Sequence, residues 1–126
     1  MYIQVNCYGP KCTSANDYLY YYITVNSISK IEDFDIDGLP YKEQITTFLD
    51  LDHNKHINNT SYAKYIINSL DLSEDDFIKT FEINHIKEVQ KDTIIKNYYK
   101  KDGKIILIKG IINDSEVSYI AKIELM

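Results

Sequence analysis

From residue 59 onward the apolar positions fall into a helical rhythm. Tyr62, Ala63, Ile66, Ile67 and Leu70 recur at intervals of three and four, which puts them on one face of an α-helix. Asn59 or Thr60 is positioned to cap that helix by accepting from its first free N–H groups, and the pattern dissolves near "SLDLSEDD". Downstream the period changes to two. "IKTFEINHIKEV" sets Phe81, Ile83, His85 and Val89 on one face and Glu82, Asn84, Ile86 and Glu88 on the other, as a strand does. "TIIKNYYKKDGKIILIKGIIN" reads as two strands around Asp102-Gly103, a dipeptide suited to the positive φ angles of a type I′ hairpin. "EVSYIAKIEL" alternates Val117, Tyr119, Ala121, Ile123 and Leu125 against Ser118, Ile120, Lys122 and Glu124, a half-buried antiparallel strand. Upstream of the helix, "QITTFLD" is a short strand candidate, and "YLYYYITV" at 18–25 is an apolar run of strand length between polar segments. The acidic stretch "IEDFDIDGLPYKEQ", punctuated by Gly and Pro, reads as a linker and places a boundary near Pro40.

From residue 40 the order is strand, helix and four more strands, with no internal repeat. One long helix inserted after the first strand of an antiparallel sheet predicts an α+β architecture in which the sheet wraps the helix, the order of the hotdog fold. Residues 1–40 then form a residual strand and linker, and 41–126 the domain proper. Composition adds limits more than direction. With 126 residues, 44% hydrophobic and 26% charged, one core is expected. The net charge is −5 and all fourteen basic residues are lysine, so the Arg forks that read bases and phosphates are missing and nucleic acid is not an expected partner. The N-terminus lacks a basic segment followed by an apolar one, and no apolar run approaches the ~20 residues of a membrane span, so a cytoplasmic protein is expected. Cys7 and Cys12 form a lone C-x4-C. Two free thiols in a reducing compartment are the reading for them, rather than a disulfide or a metal site.

The chemistry concentrates in "DLDHNKHINNTSY", Asp50 to Tyr62. A calcium loop beginning at Asp50 fails, because Lys55 stands where the turn requires Gly and Ser61 where a bidentate Glu is required. His53 and His56 with Asp50 and Asp52 nearby make a weak zinc signal, without a third His or Cys at a recognisable spacing; no metal and no cofactor are expected. A hydrolytic site remains. A helix N-terminus presents free N–H groups and partial positive charge where an oxyanion on a thioester or ester carbonyl would develop, and polar side chains just ahead of it could orient a water.

The same stretch resembles the D-x-N-x-H-[VI]-N-N-x-x-Y signature of acyl-acyl-carrier-protein thioesterases, in the second of that family's two hotdog domains. Asp52, Asn54, His56, Ile57, Asn58, Asn59 and Tyr62 fill its positions, Asp50-Leu51 fits the usual "SDLD" lead-in, and "INHIKEVQKDT" is similar to a strand ending in Glu-Cys, with Glu88 at the glutamate and Val89 at the cysteine. The resemblance covers roughly Gln44 to Leu125. It implies a catalytic set of Asn54, His56 and Glu88 with Asp52 in support: Glu88 as general base for water, Asn54 and His56 positioning that water and the carbonyl. Asn58, Asn59 and Tyr62 would face the substrate, although Asn58 and Asn59 taken alone read as helix caps. Val89 rules out an acyl-cysteine route at its position. His53 and His85 read as surface or packing residues.

The implied activity is release of a fatty acid from acyl-acyl-carrier protein, a step of lipid metabolism. Acyl-CoA is the alternative carrier, and a non-catalytic hotdog module the alternative class. Lys87, Lys91, Lys96, Lys100, Lys101 and Lys104 could steer an acidic carrier protein. The resembled enzymes carry a first hotdog domain that shapes the acyl tunnel. Here "YLYYYITVNSISKIEDF" is similar to the last strand of that domain and its linker. A lone hotdog exposes an apolar sheet face, so a homodimer is expected.

Overall fold

The protein is described here by a computed structural model, which defines residues 2–6, 23–25 and 30–126; Cys7, Cys12 and the first part of the 18–25 run lie outside them. Seven strands form one antiparallel sheet: β1 (Tyr2–Asn6), β2 (Ile23–Val25), β3 (Tyr41–Ile45), β4 (Ile78–His85), β5 (Ile94–Asp102), β6 (Ile105–Ile112) and β7 (Glu116–Leu125), in the order β2-β1-β4-β7-β6-β5-β3. Helix α1 (Asn59–Asn68) follows β3, and from residue 41 the element order is the one the periodicity predicts. The helix is short, however: ten residues where a long central helix was expected. Ser69 ends it, its hydroxyl turning back onto the Ile66 carbonyl at 2.6 Å and so competing with further helical turns.

The inner face of the sheet can be read row by row from the register. Phe81, Ile123 and Ile106 make one row across β4, β7 and β6, and Ile83, Ala121 and Ile108 the next. Both rows are buried, and with Tyr62, Ala63, Ile66 and Ile67 of α1 and Leu70 just past its end they form a single hydrophobic cluster, which is the main source of cohesion. The third row is different. It runs His85, Tyr119, Gly110, Asn97 from β4 to β5. The Tyr119 ring lies across Gly110, where a Cβ would stand 2.3 Å from its Cζ, and its hydroxyl donates to Asn97 Oδ1 on the far side. Asn97 in turn donates to the Tyr65 carbonyl of α1 at 3.4 Å, so this polar row is bonded across the sheet and up to the helix.

The outer face carries buried groups too. Asn84, Ile120 and Lys109 form a row there and all three are buried. Residues 30–40 cross over them. The Ile31 N–H donates to Asn84 Oδ1 at 2.6 Å, Lys109 Nζ donates to Asp33 and to the Phe34 carbonyl, and the Pro40 carbonyl accepts from Tyr99 N–H at 3.2 Å. The acidic linker is thus a strap, which explains why Ile120 is covered on a face the alternation assigned to solvent.

Three local expectations change. "QITTFLD" is strand only through Ile45; Asp50 Oδ2 accepts from Thr47 N–H and Oγ1, both at 2.9 Å, and closes Phe48–Asp50 into a 3₁₀ turn that leaves Phe48 and Leu49 exposed. The helix cap is Asn58, one residue before Asn59 and two before Thr60, accepting from Thr60 N–H. In the β5–β6 hairpin Asp102 still pairs with Ile105, so the loop is Gly103-Lys104. Only Gly103 has positive φ (59°), the pattern of a type II′ turn rather than type I′.

Two glycine substitutions separate the constraints. Gly110→Ala should lower the unfolding free energy by about 1–3 kcal/mol through overpacking against Tyr119. Gly103→Ala meets no neighbour and should cost about 1–2 kcal/mol through its left-handed backbone. Urea unfolding measures both, and Tyr119→Ala in the background should relieve only the first.

Candidate active site

Between β3 and α1 the chain makes a compact loop. Leu51 and Ile57 pair as an isolated antiparallel bridge, flanked by Asp52 N–H to the His56 carbonyl at 2.8 Å and Asn58 N–H to the Asp50 carbonyl at 2.8 Å. Inside, Asp52 Oδ1 accepts from the amides of Asn54 (2.9 Å) and His56 (3.1 Å). The His56 amide, foremost, holds the Asp52 carboxyl below the usual carboxylate range. Lys55 sits at the turn with φ +64°, a left-handed residue held by its neighbours. Ile57 is buried under the loop and anchors it to the core. Asp52 therefore shapes the loop, while Asn54 and His56 line the pocket described below.

Asn58 Oδ1 accepts from Thr60 N–H (3.0 Å) and Oγ1 (2.9 Å), and the amides of Ser61 and Tyr62 close on the Asn58 carbonyl. Of the first-turn amides, that of Asn59 has no partner among the described residues. Asn58 is thus a cap, and Asn59 the position where the helix presents an unused donor.

Glu88 lies three residues beyond the end of β4, in an irregular segment and not on the strand the alternation suggested. That segment is fastened at several points. The Ile86 and Lys87 amides donate to the Ser118 carbonyl at 2.8 and 3.0 Å, Ser118 Oγ donates to the Lys87 carbonyl at 2.7 Å, and Lys87 pairs with Glu116. The Val89 amide donates to the Tyr62 hydroxyl at 3.1 Å, and Val89 is buried. Further on, Thr46 Oγ1 donates to the Gln90 carbonyl at 2.6 Å and accepts from Thr93 N–H at 2.9 Å. Ser118 is free to do this because it is bulged out of register: Tyr119 faces Gly110 and Val117 faces Ile111, leaving no partner on β6 between them. Bulges re-aim a chain next to sites of this kind. Sequence reading placed Ser118 on the more polar face of its strand, beside Lys122 and Glu124, and so gave no signal of this role.

The loop and the segment meet at His56 and Glu88. His56 Nδ1 and Glu88 Oε1 are 2.6 Å apart, both half-exposed. A cavity of about 820 Å³ opens here, lined by Asp52, Asn54, His56, Asn58, Asn59, Tyr62 and Glu88, all seven residues singled out in the sequence, and also by Ile57 and the segment His85–Lys87. Among the described residues no cluster of three or more His, Cys, Asp or Glu could hold a metal, and no helix is long and apolar enough to cross a membrane. Of the other histidines, His53 is exposed. His85 is mostly buried, packs edge-on against Tyr62 with ring centroids 4.7 Å apart, and is pushed down to about 4 by burial.

Residues 39–124 match the acyl-ACP thioesterase C-terminal domain, and the chain belongs to that family. No curated protein matches it. Among solved structures it is similar to an acyl-ACP thioesterase from Bacteroides thetaiotaomicron (19% identity, TM-score 0.68, covering 82% of this chain and 43% of that one). It is also similar to the 12:0-ACP thioesterase from Umbellularia californica (17% identity, TM-score 0.69, 89% and 45%). A Staphylococcus aureus protein solved in complex with CoA shares the fold as well (15% identity, TM-score 0.61, 71% and 75%). These likenesses establish the hotdog fold. The chain spans less than half the length of the first two.

Tyr62→Phe leaves the Val89 amide buried without an acceptor and should lower stability by about 1–3 kcal/mol, with increased hydrogen exchange at residues 86–90. His85 adds a pH dependence. Its folded pKa lies below the unfolded value of 6.5, so the unfolded chain binds the extra proton between pH 6.5 and about 4. Its stabilising contribution is complete above pH 6.5 and is lost as pH falls through that window, by at most roughly 3 kcal/mol. Unfolding free energies measured from pH 7.5 to 4 should fall less steeply in His85→Phe than in the wild type.

Proposed function

We propose that the protein hydrolyses thioesters of fatty acyl groups, with acyl-acyl-carrier protein as the substrate and a free fatty acid as the product. The observation that carries this reading is the 2.6 Å approach of His56 Nδ1 to Glu88 Oε1 beside the first turn of α1, in a cavity roomy enough for a thioester. Membership of the acyl-ACP thioesterase family supports the carrier protein over CoA, while the likeness to a protein solved with CoA keeps acyl-CoA as the second substrate to be tested.

In this mechanism Glu88 is the general base. One carboxylate oxygen is held by His56, and the other takes a proton from water as the water oxygen bonds to the thioester carbon. The carbonyl oxygen becomes an oxyanion facing the Asn59 amide and the positive end of α1, with the Asn54 side chain as a further donor. Collapse breaks the carbon–sulfur bond, and the leaving thiolate takes the proton from Glu88. Asp52 keeps the loop in shape. Tyr62 keeps Glu88 in place through Val89, a positioning role it holds beside the substrate contact the motif suggested, since its side of the helix also lines the cavity. Val89 is buried and has no nucleophilic atom, so no acyl-cysteine route runs through its position, and water is the nucleophile of the proposed reaction.

Purified protein should release free thiol from acyl-acyl-carrier protein, and more slowly from acyl-CoA of the same chain length. Glu88→Gln should reduce the rate by about 10²–10⁴-fold, the range for a lost general base, with Asn54→Ala also impaired. Equal rates in wild type and Glu88→Gln would remove the hydrolytic assignment and leave a binding module.

A further inference from the structure

Glu88 is not held through its own backbone. Neither its N–H nor its C=O has a partner among the described residues, and its side chain is half-exposed. The direction in which that side chain leaves the main chain is therefore set by the two peptide planes on either side of its Cα. Each plane is pinned by a buried hydroxyl from another element. Past Glu88, the Val89 N–H donates to the Tyr62 hydroxyl at 3.1 Å. Ahead of it, the Lys87 carbonyl accepts from Ser118 Oγ at 2.7 Å. Tyr62 is 3% exposed and Ser118 is fully buried. Tyr62 belongs to the motif, and Ser118 does not.

Ser118 can reach Lys87 because of where β7 bulges. Val117 faces Ile111 and Tyr119 faces Gly110, so Ser118 is left over from the ladder with β6, and the pairing with β4 ends one residue away at His85 and Tyr119. Its carbonyl takes the Ile86 and Lys87 amides at 2.8 and 3.0 Å, while its hydroxyl donates to the Lys87 carbonyl. One residue thus holds the peptide groups 85–86, 86–87 and 87–88 in succession. The carbonyl part of this grip is available to any residue at the bulge. Only the hydroxyl bond depends on the side chain, and it acts on the peptide that leads into Glu88.

We propose that Ser118 is a positioning residue for Glu88: its hydroxyl fixes the Lys87–Glu88 peptide and so aims the Glu88 carboxylate at His56 and at the water beside it. A tilt of about 15° at the Glu88 Cα carries the carboxylate about 1 Å, and a displacement of that size costs up to about 10²-fold in rate. The consequence for rate rests on the proposed hydrolysis, whereas the positioning does not.

The test compares wild type with Ser118→Ala and with Ser118→Cys, which keeps a side chain of similar size and a weaker donor and so also serves if the alanine variant does not fold. Gly103→Ala, in the β5–β6 turn, is the control for lost stability. The first readout needs no substrate. The Hα–Hβ scalar couplings of Glu88 should report one χ1 rotamer in wild type and Gly103→Ala, averaging in Ser118→Ala, and an intermediate state in Ser118→Cys. The second is turnover of acyl-acyl-carrier protein. In Ser118→Ala kcat should fall about 10–10²-fold with KM within about twofold, Gly103→Ala should match the wild type, and Ser118→Ala should cost nothing further in a Glu88→Gln background. Couplings already averaged in the wild type, or unchanged in both Ser118 variants, overturn the proposal. So does an unchanged kcat beside averaged couplings, or a loss of rate that Gly103→Ala shares or that persists in Glu88→Gln. The hydrolytic reading fails separately: a wild type without turnover, in which Ser118→Ala still frees the Glu88 rotamer, removes the enzyme and leaves this role.

Discussion

One hydrogen bond joins the parts of the site. The Tyr62 hydroxyl, rising from the first turn of α1, accepts the Val89 amide one residue past Glu88. The helix carries the loop of Asp52 to Asn58 at its N-terminus, and the segment past β4 carries Glu88. Without a contact between them each would be positioned by its own end of the chain. Tyr62 is 3% exposed, and its ring is wedged against His85 and Tyr119, so its hydroxyl has a fixed place from which to accept. A hydrogen bond in such surroundings is worth more than one in water, because losing it leaves a buried donor with no substitute. The Ser118 bulge supplies the second fixed point, gripping Ile86 and Lys87. Glu88 therefore hangs between two clamps on different elements.

The elements themselves were legible because a sheet packed on one helix writes its periods into the chain. The strands from Ile78 to Leu125 and the helical positions from Tyr62 to Leu70 all follow from period two and period 3.6. What the pattern could not show was anything set by contact with a second layer. Ile120 sits on the face the alternation gives to solvent, yet it and its neighbour Lys109 are both buried because the strap of residues 30–40 lies over them. Gly110 has no place in the alternation, and only the Tyr119 ring crossing it gives its reason. The 3₁₀ turn at Phe48–Asp50 defeated a strand assignment because the bonds that make it, from Thr47 to Asp50, are local side-chain choices that hydrophobic patterning does not see.

For the site, the residues of the motif come together in one place, but the motif does not divide roles among them. All seven lie around one cavity, but the geometry divides them: Asp52, Asn58 and Tyr62 are engaged in holding backbone, while Asn54, Asn59, His56 and Glu88 have atoms left to offer. A signature records which residues recur together and is silent on that division.

The His56–Glu88 pair adds little to stability. Both side chains are about half exposed, and pairs in that environment contribute on the order of 0–1 kcal/mol. Its value lies in geometry: the contact turns one carboxylate oxygen toward His56 and leaves the other for a water. Exposure is also a weakness, because the same solvent that weakens the pair would weaken any donor aimed at an oxyanion. In the proposed reaction an acyl chain lying along the cavity wall would change this, covering Ile57, Tyr62 and Ile86 and removing water from the first turn of α1. The substrate thus completes the environment in which the Asn59 amide and Asn54 act at full strength, and a thioester with too short a chain to cover that wall should gain the least from them.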